Sequence, residues 1–394
     1  MAIRALVEPG PPLTPVQVER YSRHLLLDHV GQIGQRRLRR ARVCVVGAGG
    51  LGAPVLAYLA AAGVGRLGIV DFDVVEVSNL QRQVLHGVAD VGRAKVDSAR
   101  ESVLAIDPDL DVVVHAVRLS AENVDVVLRG YDLVIDGTDT FETRYLVNDA
   151  CVRLGLPEVW GSVLRFDAQV SVFWGSPPEG SGVDPVELRD LFPAPPAPGS
   201  VPSCAQAGVL GALCGQVGSL MATEAIKLVT GIGDPLLGRV LVLDALAARW
   251  SEVPLRGGSA RSRPPAVPDV AVVAPATITP RELARLLAHR GEEPGAAGAT
   301  GGPDAFVLID VREPAERAIV SIAGSRLVPL GAILDGSALA DLPLDRPIVL
   351  HCRSGLRSER AARALESAGF EHVTHLAGGI LAWIDEIDPT LPRY

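Results

Sequence analysis

A glycine-rich turn follows directly on an apolar strand near the start of the chain. The run Arg42–Val46 is apolar and largely β-branched, and a helical pattern begins at Ala53. Between them lie Gly47, Gly49, Gly50 and Gly52. A strand, a glycine turn and a helix N-terminus in this order place backbone N–H groups around an anion. Asp71 ends the next apolar run and can accept hydrogen bonds from a ribose. The pattern predicts a nucleotide-binding domain and leaves NAD, FAD and ATP open.

Apolar runs alternate with helical patterns over residues 41–244. The predicted strands are residues 42–46, 67–71, 111–114, 133–136 and 169–173. Such alternation is typical of an α/β domain whose parallel or mixed sheet is covered by helices. We therefore expect a Rossmann-like domain with a mixed sheet over residues 1–250.

Length and composition narrow the class of protein. At 394 residues the chain is long enough for two domains. A net charge of -9 argues against a nucleic-acid partner. The start lacks the pattern of a signal peptide, and the apolar stretch 209–225 is interrupted by Gln216, which favours a buried helix over a membrane span. The five cysteines are widely spaced, which favours reduced thiols and a cytoplasmic location.

A proline- and glycine-rich segment divides the chain. Residues 251–276 contain five prolines and no amphipathic period, which predicts a linker with a reach of roughly 30 Å. A second domain is expected over residues 277–394. It opens with Thr279, Pro280 and Glu282, which match an N-cap, a first-turn proline and a capping-box partner.

The second domain carries a cysteine between a buried strand and a helix. The segment is Cys352, Arg353, Ser354, Gly355, Leu356 and Arg357. It resembles the active-site loop of rhodanese-like domains, as do Asp310, Val311 and Arg312 after an earlier strand, and Gly378, Gly379 and Trp383 near the end. Some phosphatases share the C-x-x-x-x-R pattern with a loop one residue longer. The loop length suits N–H groups around a persulfide, and Arg357 and the helix are expected to lower the pKa of the Cys352 thiol.

Several polar motifs follow the glycine turn in the first domain. They are Ser78, Asn79, Leu80, Gln81 and Arg82, then Lys95, then Asp139 and Thr140. Together with Asp71 they resemble the MoeB/ThiF family of ubiquitin-activating-like adenylyltransferases. The resemblance implies that Arg82 and Lys95 contact ATP phosphates, that Asn79 lies near the reacting phosphate and that Asp139 holds Mg²⁺. It also implies a homodimer in which Arg23 enters the ATP site of the partner.

A second cysteine lies among prolines and glycines. Cys204, between Ser203 and Ala205, is expected on a mobile loop as a sulfur acceptor or acyl carrier, as the resemblance implies. The sequence departs from the family pattern at Gln206 and Ala207, and at Thr140. Relatives hold zinc through two C-x-x-C pairs; this chain has neither, so no zinc is expected. The other three cysteines, Cys44, Cys151 and Cys214, are expected to be buried and structural.

The two resemblances together predict one enzyme. It would use ATP and Mg²⁺ to adenylylate the C-terminal Gly-Gly carboxylate of a ubiquitin-like sulfur carrier protein, and Cys352 would then deliver sulfur to form a thiocarboxylate. The sulfur donor would be a cysteine desulfurase or thiosulfate. Two alternatives are an NAD-dependent oxidoreductase fused to a sulfur-binding module and a non-enzymatic regulatory module. The sequence does not choose among molybdopterin, thiamine, cysteine and thio-sugar pathways.

Overall fold

The structure, a computed structural model, describes residues 3–196, 208–258, 275–288 and 306–394. The chain divides into two compact units, Met1–Arg263 and Pro264–Tyr394.

The first unit is built on an eight-stranded mixed sheet in the order β3-β2-β1-β4-β5-β6-β7-β8. Strands β1 to β5 pair in parallel, and β6, β7 and β8 add antiparallel pairs at one edge. The strands are β1 Arg42–Val46, β2 Arg66–Val70, β3 Asp111–His115, β4 Leu133–Asp136, β5 Glu158–Leu164, β6 Asp167–Phe173, β7 Arg239–Asp244 and β8 Arg249–Pro254. The Rossmann-like mixed sheet predicted from the sequence is confirmed.

Helices cover the sheet of the first unit. They are α1 Pro15–Arg20, α2 Ser22–Leu25, α3 Gly31–Arg40, α4 Gly52–Ala61, α5 Lys95–Ile106, α6 Val124–Leu128, α7 Phe141–Leu154, α8 Leu188–Leu191 and α9 Gly211–Thr230, with short 3-10 turns at Val77–Asn79 and Val88–Asp90. Helix α9 packs closely on α4: a Cβ at Gly218 would lie 2.3 Å from the Pro54 ring. No described helix, α9 included, has the length and apolarity needed to cross a membrane.

The strand order creates a crevice at the carboxyl end of the parallel strands. From β1 the chain moves outward through β2 and β3 and then returns to the other side of β1 as β4. The loops after β1 and β4 therefore leave in opposite directions, and such a switch point is where open α/β sheets bind ligands. The glycine turn after β1 and the motif after β4 are brought together here.

The first unit extends beyond the boundary expected from the sequence. Strand β8 continues through Pro254, and the Leu255 N–H donates to the Gly238 carbonyl. Gly258 is also held, because its N–H donates to the Asp190 carboxylate. These hydrogen bonds tie residues 251–258, assigned to the linker on composition, to the first unit. The rest of that segment up to residue 274 lies outside the described residues.

The second unit has a five-stranded parallel sheet in the order β11-β10-β12-β13-β9. Its strands are β9 Ala276–Ile278, β10 Val307–Asp310, β11 Arg326–Leu327, β12 Ile348–His351 and β13 Val373–Leu376. Its helices are α10 Pro280–Ala288, α11 Pro314–Ile319, α12 Leu330–Leu334, α13 Leu356–Ser367 and α14 Gly379–Glu386, with a 3-10 turn at Leu339–Asp341. Strand β12 is central and fully buried, and it ends directly before Cys352.

Candidate functional site

A cavity of about 920 Å³ lies at the carboxyl ends of β1, β2 and β4. The glycine turn forms one wall through Gly47, Gly49 and Gly50. Side chains that line it include Asp71, Asn79, Arg82, Lys95, Asp139 and Thr140. The structure thus brings together most of the residues that the sequence assigned to nucleotide binding, although they span 94 positions from the first glycine to Thr140. A volume of this size holds a nucleotide.

The glycine turn has the geometry that the motif requires. Gly47 has φ of +92°, a conformation that favours glycine. A Cβ at Gly52 would lie 1.8 Å from the Gly47 carbonyl oxygen, so Gly52 is needed for the tight turn although it does not line the cavity. Behind the turn, a Cβ at Gly50 would lie 3.0 Å from the Cys214 sulfur. Helix α9 therefore packs against the glycine turn through Cys214.

Hydrogen bonds hold Ala48, the second residue of the turn, on two sides. Asp71 Oδ2 accepts from the Ala48 N–H at 2.9 Å. A ring nitrogen of His86, Nε2, lies 3.0 Å from the Ala48 carbonyl oxygen, and Nδ1 lies 2.8 Å from the Ser98 hydroxyl. Burial lowers the pKa of His86, so the imidazole is neutral near pH 7. Asp71, predicted as a ribose ligand, also fixes the turn.

Two cations and a buried amide occupy the far side of the cavity. Lys95 is buried, and its ammonium lies 3.0 Å from the Asp73 carboxylate. The guanidinium of Arg82 donates to the Ser78 carbonyl at 2.9 Å. The Asn79 side chain is buried and accepts from the Glu76 N–H at 3.1 Å. Arg82 and Lys95 therefore each present a positive charge to the cavity in a fixed orientation, as a polyphosphate requires.

The loop after β4 supplies an acidic group to the cavity. Asp139 is exposed there, and Thr140 caps α7 by accepting from the Thr143 N–H. Beneath them, Asp136 is fully buried, and burial raises the pKa of its carboxyl group. Glu158 is also fully buried on the neighbouring strand, and its pKa is raised well above the usual range by burial and by the nearby Asp136. Asp139 is thus an exposed carboxylate of the cavity, as are Asp73, Glu76, Glu122 and Glu142, and such a group can serve as a Mg²⁺ ligand, since Mg²⁺ is commonly bound by one or two carboxylates with substrate phosphates.

The structure does not bring every predicted residue to the cavity. Ser78, Leu80 and Gln81 are not among the lining residues: Ser78 is exposed and offers its carbonyl to Arg82, and the Gln81 carbonyl packs against Gly211. Arg23 is exposed on α2 and also lies outside the lining of the cavity. Cys204 lies outside the described residues.

Three residues near the cavity were given no role by the sequence analysis. The guanidinium of Arg118 stacks on the Phe72 ring at 4.1 Å, and both residues line the cavity. His86 contacts the Ala48 carbonyl oxygen of the glycine turn and does not itself line the cavity. Phe72 directly follows Asp71, so the motif at Asp71 could have indicated that it lies near the cavity. Arg118 and His86 carry no local signal, because only the fold places them near the glycines.

The Cys352 loop has the hydrogen bonds expected of a sulfur site. Cys352 is 1% exposed, and its Sγ accepts from the Gly355 N–H at 3.1 Å and from the Ser358 hydroxyl at 3.5 Å. Gly355 has φ of +101°, which lets the loop turn back over the sulfur before α13 begins. A Cβ at Gly379 would lie 2.6 Å from the Cys352 and Arg353 backbones, so this glycine permits the close approach of α14. One backbone N–H, that of Gly355, thus points at the sulfur, and the full set of N–H groups around a persulfide stays a prediction.

Arg357 has a partner that the sequence did not predict. Its two terminal nitrogens donate to the two oxygens of Glu316 at 2.6 Å each. The guanidinium that was expected to act on the thiol thus shares its charge with a carboxylate. Glu316 also accepts from the Glu313 N–H and from the Tyr394 hydroxyl.

Arginine and tyrosine side chains continue this network along the loop. Arg353 Nε donates to the Tyr394 backbone oxygen at 2.8 Å, and the Tyr394 hydroxyl pairs with Arg312. Burial raises the pKa of Tyr394 to about 12, so its phenol stays protonated. Arg312 is fully buried and donates to both oxygens of Asp310 at 2.8 and 2.6 Å. Asp310 and Arg312, which the resemblance singled out after an earlier strand, therefore form a buried ion pair in this network.

His351 is buried directly before Cys352. Its Nε2 lies 3.9 Å from the Asp310 carboxylate, and burial lowers the pKa of the imidazole to about 4. The neutral ring therefore adds no charge beneath the loop at neutral pH.

Comparisons with known proteins agree with both sites. Residues 21–262 match the model of the ThiF family, and residues 296–386 match the model of the rhodanese-like domain. The first match covers the cavity and the second covers the Cys352 loop.

Two curated relatives share much of the sequence. A probable adenylyltransferase/sulfurtransferase MoeZ of Mycobacterium tuberculosis is 51% identical over 99% of this chain and 98% of its own length. A sulfur carrier protein adenylyltransferase of Thermus thermophilus is 53% identical over 62% of this chain and 89% of its own length. The first spans both units.

A solved structure shares the fold of the first unit. MccB of E. coli, crystallised with ATP, aligns with a TM-score of 0.50 at 22% identity, over 60% of this chain and 71% of that protein.

Proposed function

Because the chain belongs to the ThiF family and carries a C-terminal rhodanese-like domain, we propose that it is an adenylyltransferase and sulfurtransferase acting on a sulfur carrier protein. The enzyme adenylylates the C-terminal Gly-Gly carboxylate of a ubiquitin-like carrier and then converts it to a thiocarboxylate. The observation that carries this proposal is the joint presence of Arg82, Lys95 and Asp139 in one cavity beside the glycine turn. Family membership weighs against the two alternatives, an NAD-dependent oxidoreductase and a regulatory module.

The first step is an attack on ATP. A carboxylate oxygen of the carrier attacks the α-phosphorus, the bond to the β-phosphate oxygen breaks, and pyrophosphate leaves. The glycine-turn N–H groups bind phosphate oxygens, Arg82 and Lys95 offset their charge, and Asn79 orients the reacting phosphate. Asp139 would hold Mg²⁺, which offsets phosphate charge when bound.

The second step moves sulfur. The outer sulfur of a Cys352 persulfide attacks the acyl carbon, and AMP leaves with its bonding electron pair. The resulting acyl disulfide releases the thiocarboxylate when a thiol attacks the Cys352 sulfur, for which Cys204 is our candidate. That attack leaves a disulfide on the enzyme, which an external dithiol reduces. A cysteine desulfurase or thiosulfate reloads Cys352.

Two further features belong to the proposal. As the family resemblance implies, the enzyme is a homodimer in which Arg23, which is exposed and outside the cavity of its own chain, completes the ATP site of the partner. The four described cysteines are all free thiols, which supports a reducing cytoplasmic location.

The test is exchange of labelled pyrophosphate into ATP. The full chain is expected to catalyse exchange with a carrier that ends in Gly-Gly and not with a carrier whose final glycine is removed. Asp139→Asn is expected to lower the rate by roughly 100-fold or more, whereas the matched control Asp125→Asn, on α6 away from the cavity, is expected to leave it unchanged. Exchange that persists in Asp139→Asn, or hydride transfer from NADH, contradicts the assignment.

A further inference from the structure

We infer that His86 is a positioning residue for nucleotide binding, which acts through the Ala48 carbonyl to fix the glycine turn. The inference rests on the proposed function, because it assumes that this turn binds the phosphates of ATP. His86 itself is not among the residues that line the cavity, so it acts without touching the nucleotide.

The partners of His86 determine which nitrogen carries the proton. A carbonyl oxygen accepts hydrogen bonds and cannot donate them, so Nε2, 3.0 Å from the Ala48 oxygen, must be protonated. In the neutral ring Nδ1 then has a lone pair, which accepts from the Ser98 hydroxyl at 2.8 Å. Ser98 and His86 are both buried, so water does not compete for these bonds. The result is a directed chain from Ser98 through His86 to Ala48.

The position of Ala48 decides which way the turn faces. Its N–H is held by Asp71 Oδ2 at 2.9 Å, and its carbonyl is held by His86. The two bonds fix the peptide groups on both sides of Ala48, including the group that contains the Gly49 N–H. With the Ala48 carbonyl directed at His86, the Gly49 N–H on the same peptide group points the opposite way. Glycines have a broad choice of backbone conformations, and this anchoring reduces the entropy lost when the phosphates bind.

His86 lies in the same connection as two residues that line the cavity. His86 stands 38 residues after Ala48, in the segment between the 3-10 turns Val77–Asn79 and Val88–Asp90. The same connection between β2 and α5 carries Asn79 and Arg82, which line the cavity. One connection therefore supplies side chains for the phosphates and a support for the turn.

A pair of amide substitutions isolates the bond to Ala48. In His86→Gln the side-chain N–H can take the place of Nε2 and donate to Ala48, whereas in His86→Asn the shorter amide reaches the place of Nδ1 and leaves Ala48 without a donor. We expect ATP to bind His86→Asn roughly tenfold more weakly than wild type, and His86→Gln within about threefold of wild type, by calorimetry on the full chain. In pyrophosphate exchange the KM for ATP should rise in His86→Asn with little change in kcat, because the turn binds the ground state and the transition state alike.

Controls separate this role from loss of stability. Val103→Ala shortens a fully buried side chain on α5, and we expect a lower Tm with unchanged ATP affinity. Ser98→Ala removes the acceptor bond at Nδ1 and should weaken ATP binding by roughly threefold, so the inference stays testable if His86→Asn does not fold. Equal ATP affinity of the Gln and Asn variants, or a Ser98→Ala variant with wild-type affinity, overturns the positioning role. A wild-type chain that binds no ATP overturns the proposed function instead.

Discussion

Arg357 and Glu316 form two parallel hydrogen bonds of 2.6 Å each beside the Cys352 loop. Both side chains are largely buried, with 11% and 9% of their surface exposed. The pair joins the helix that follows the thiol loop to α11, 41 positions earlier in the chain. Arg357 is therefore held in one orientation next to the sulfur instead of moving freely in solvent.

The first prediction concerns the stability of this pair. Arg357→Ala leaves the Glu316 carboxylate buried without its cation, so we expect the second unit to lose about 3 kcal/mol of its free energy of unfolding. Arg357→Ala combined with Glu316→Ala should lose less than the single change. Hydrogen exchange of peptides from residues 348–367 measures the local opening free energy in the full chain. A double variant less stable than the single variant contradicts the expectation.

The second prediction separates the two activities. Cys352→Ala removes the sulfur nucleophile, so thiocarboxylate formation from thiosulfate should fall by roughly 100-fold or more. Pyrophosphate exchange should stay within about twofold of wild type, because the cavity lies in the other unit. Both rates are measured on one preparation, with Cys44→Ala as a thiol control outside both sites. Loss of exchange in a folded Cys352→Ala protein would argue against two separable sites.

The third prediction concerns Cys204. If this thiol releases the product from the acyl disulfide, Cys204→Ala should accumulate a carrier linked covalently to Cys352 after one turnover. Intact mass of the enzyme with saturating ATP and donor, without added thiol, detects the adduct, and an added dithiol should release the thiocarboxylate. Wild-type yield and rate without the adduct would remove Cys204 from the mechanism.

The fourth prediction tests whether Arg23 acts on the partner subunit. Arg23→Ala and Asp139→Ala are each expected to be inactive in pyrophosphate exchange. In a mixed dimer, one site then combines an intact Asp139 with an intact Arg23 from the other subunit. Random mixing should restore about a quarter of wild-type activity, since half of the dimers are mixed and each has one complete site. No restoration in confirmed mixed dimers would place Arg23 on its own chain's site, and full exchange by Arg23→Ala alone would place it outside catalysis.

The fifth prediction concerns pH and His351. Its folded pKa of about 4 lies below the ordinary value of 6.5, so the unfolded chain binds this proton more readily. The lowered pKa of His351 therefore contributes fully to the free energy of unfolding above pH 6.5. This contribution, roughly 3 kcal/mol in total, is lost as the pH falls towards 4. His351→Leu should remove this part of the pH dependence. We expect the variant to gain stability relative to wild type between pH 6.5 and 4.5, measured by hydrogen exchange of β12; an unchanged difference contradicts the shifted pKa.

Short segments of sequence were sufficient to predict several features of the structure. The glycine turn after β1 and the thiol loop after β12 were both predicted, and the structure places each between a strand and a helix. The family resemblance drawn from them is confirmed by the matches to the ThiF family and the rhodanese-like domain. The buried state predicted for Cys44, Cys151 and Cys214 is confirmed as well. These features are encoded locally, because hydrophobic period, glycine placement and loop length act within about ten residues.

Local sequence patterns were therefore enough to predict both folds, the glycine turn and the cysteine loop, whereas the groups around these loops depend on tertiary packing. His86 meets Ala48 across 38 positions, and Glu316 meets Arg357 across 41. Strands β5, β7 and β8 were not predicted, and β8 carried the first unit past the expected boundary. No local pattern marks such partners, because a histidine or glutamate in isolation has the same sequence signature on a solvated surface as in a buried network. Only the packing of the sheet and helices brings these groups within hydrogen-bonding distance and removes the water that would otherwise satisfy them.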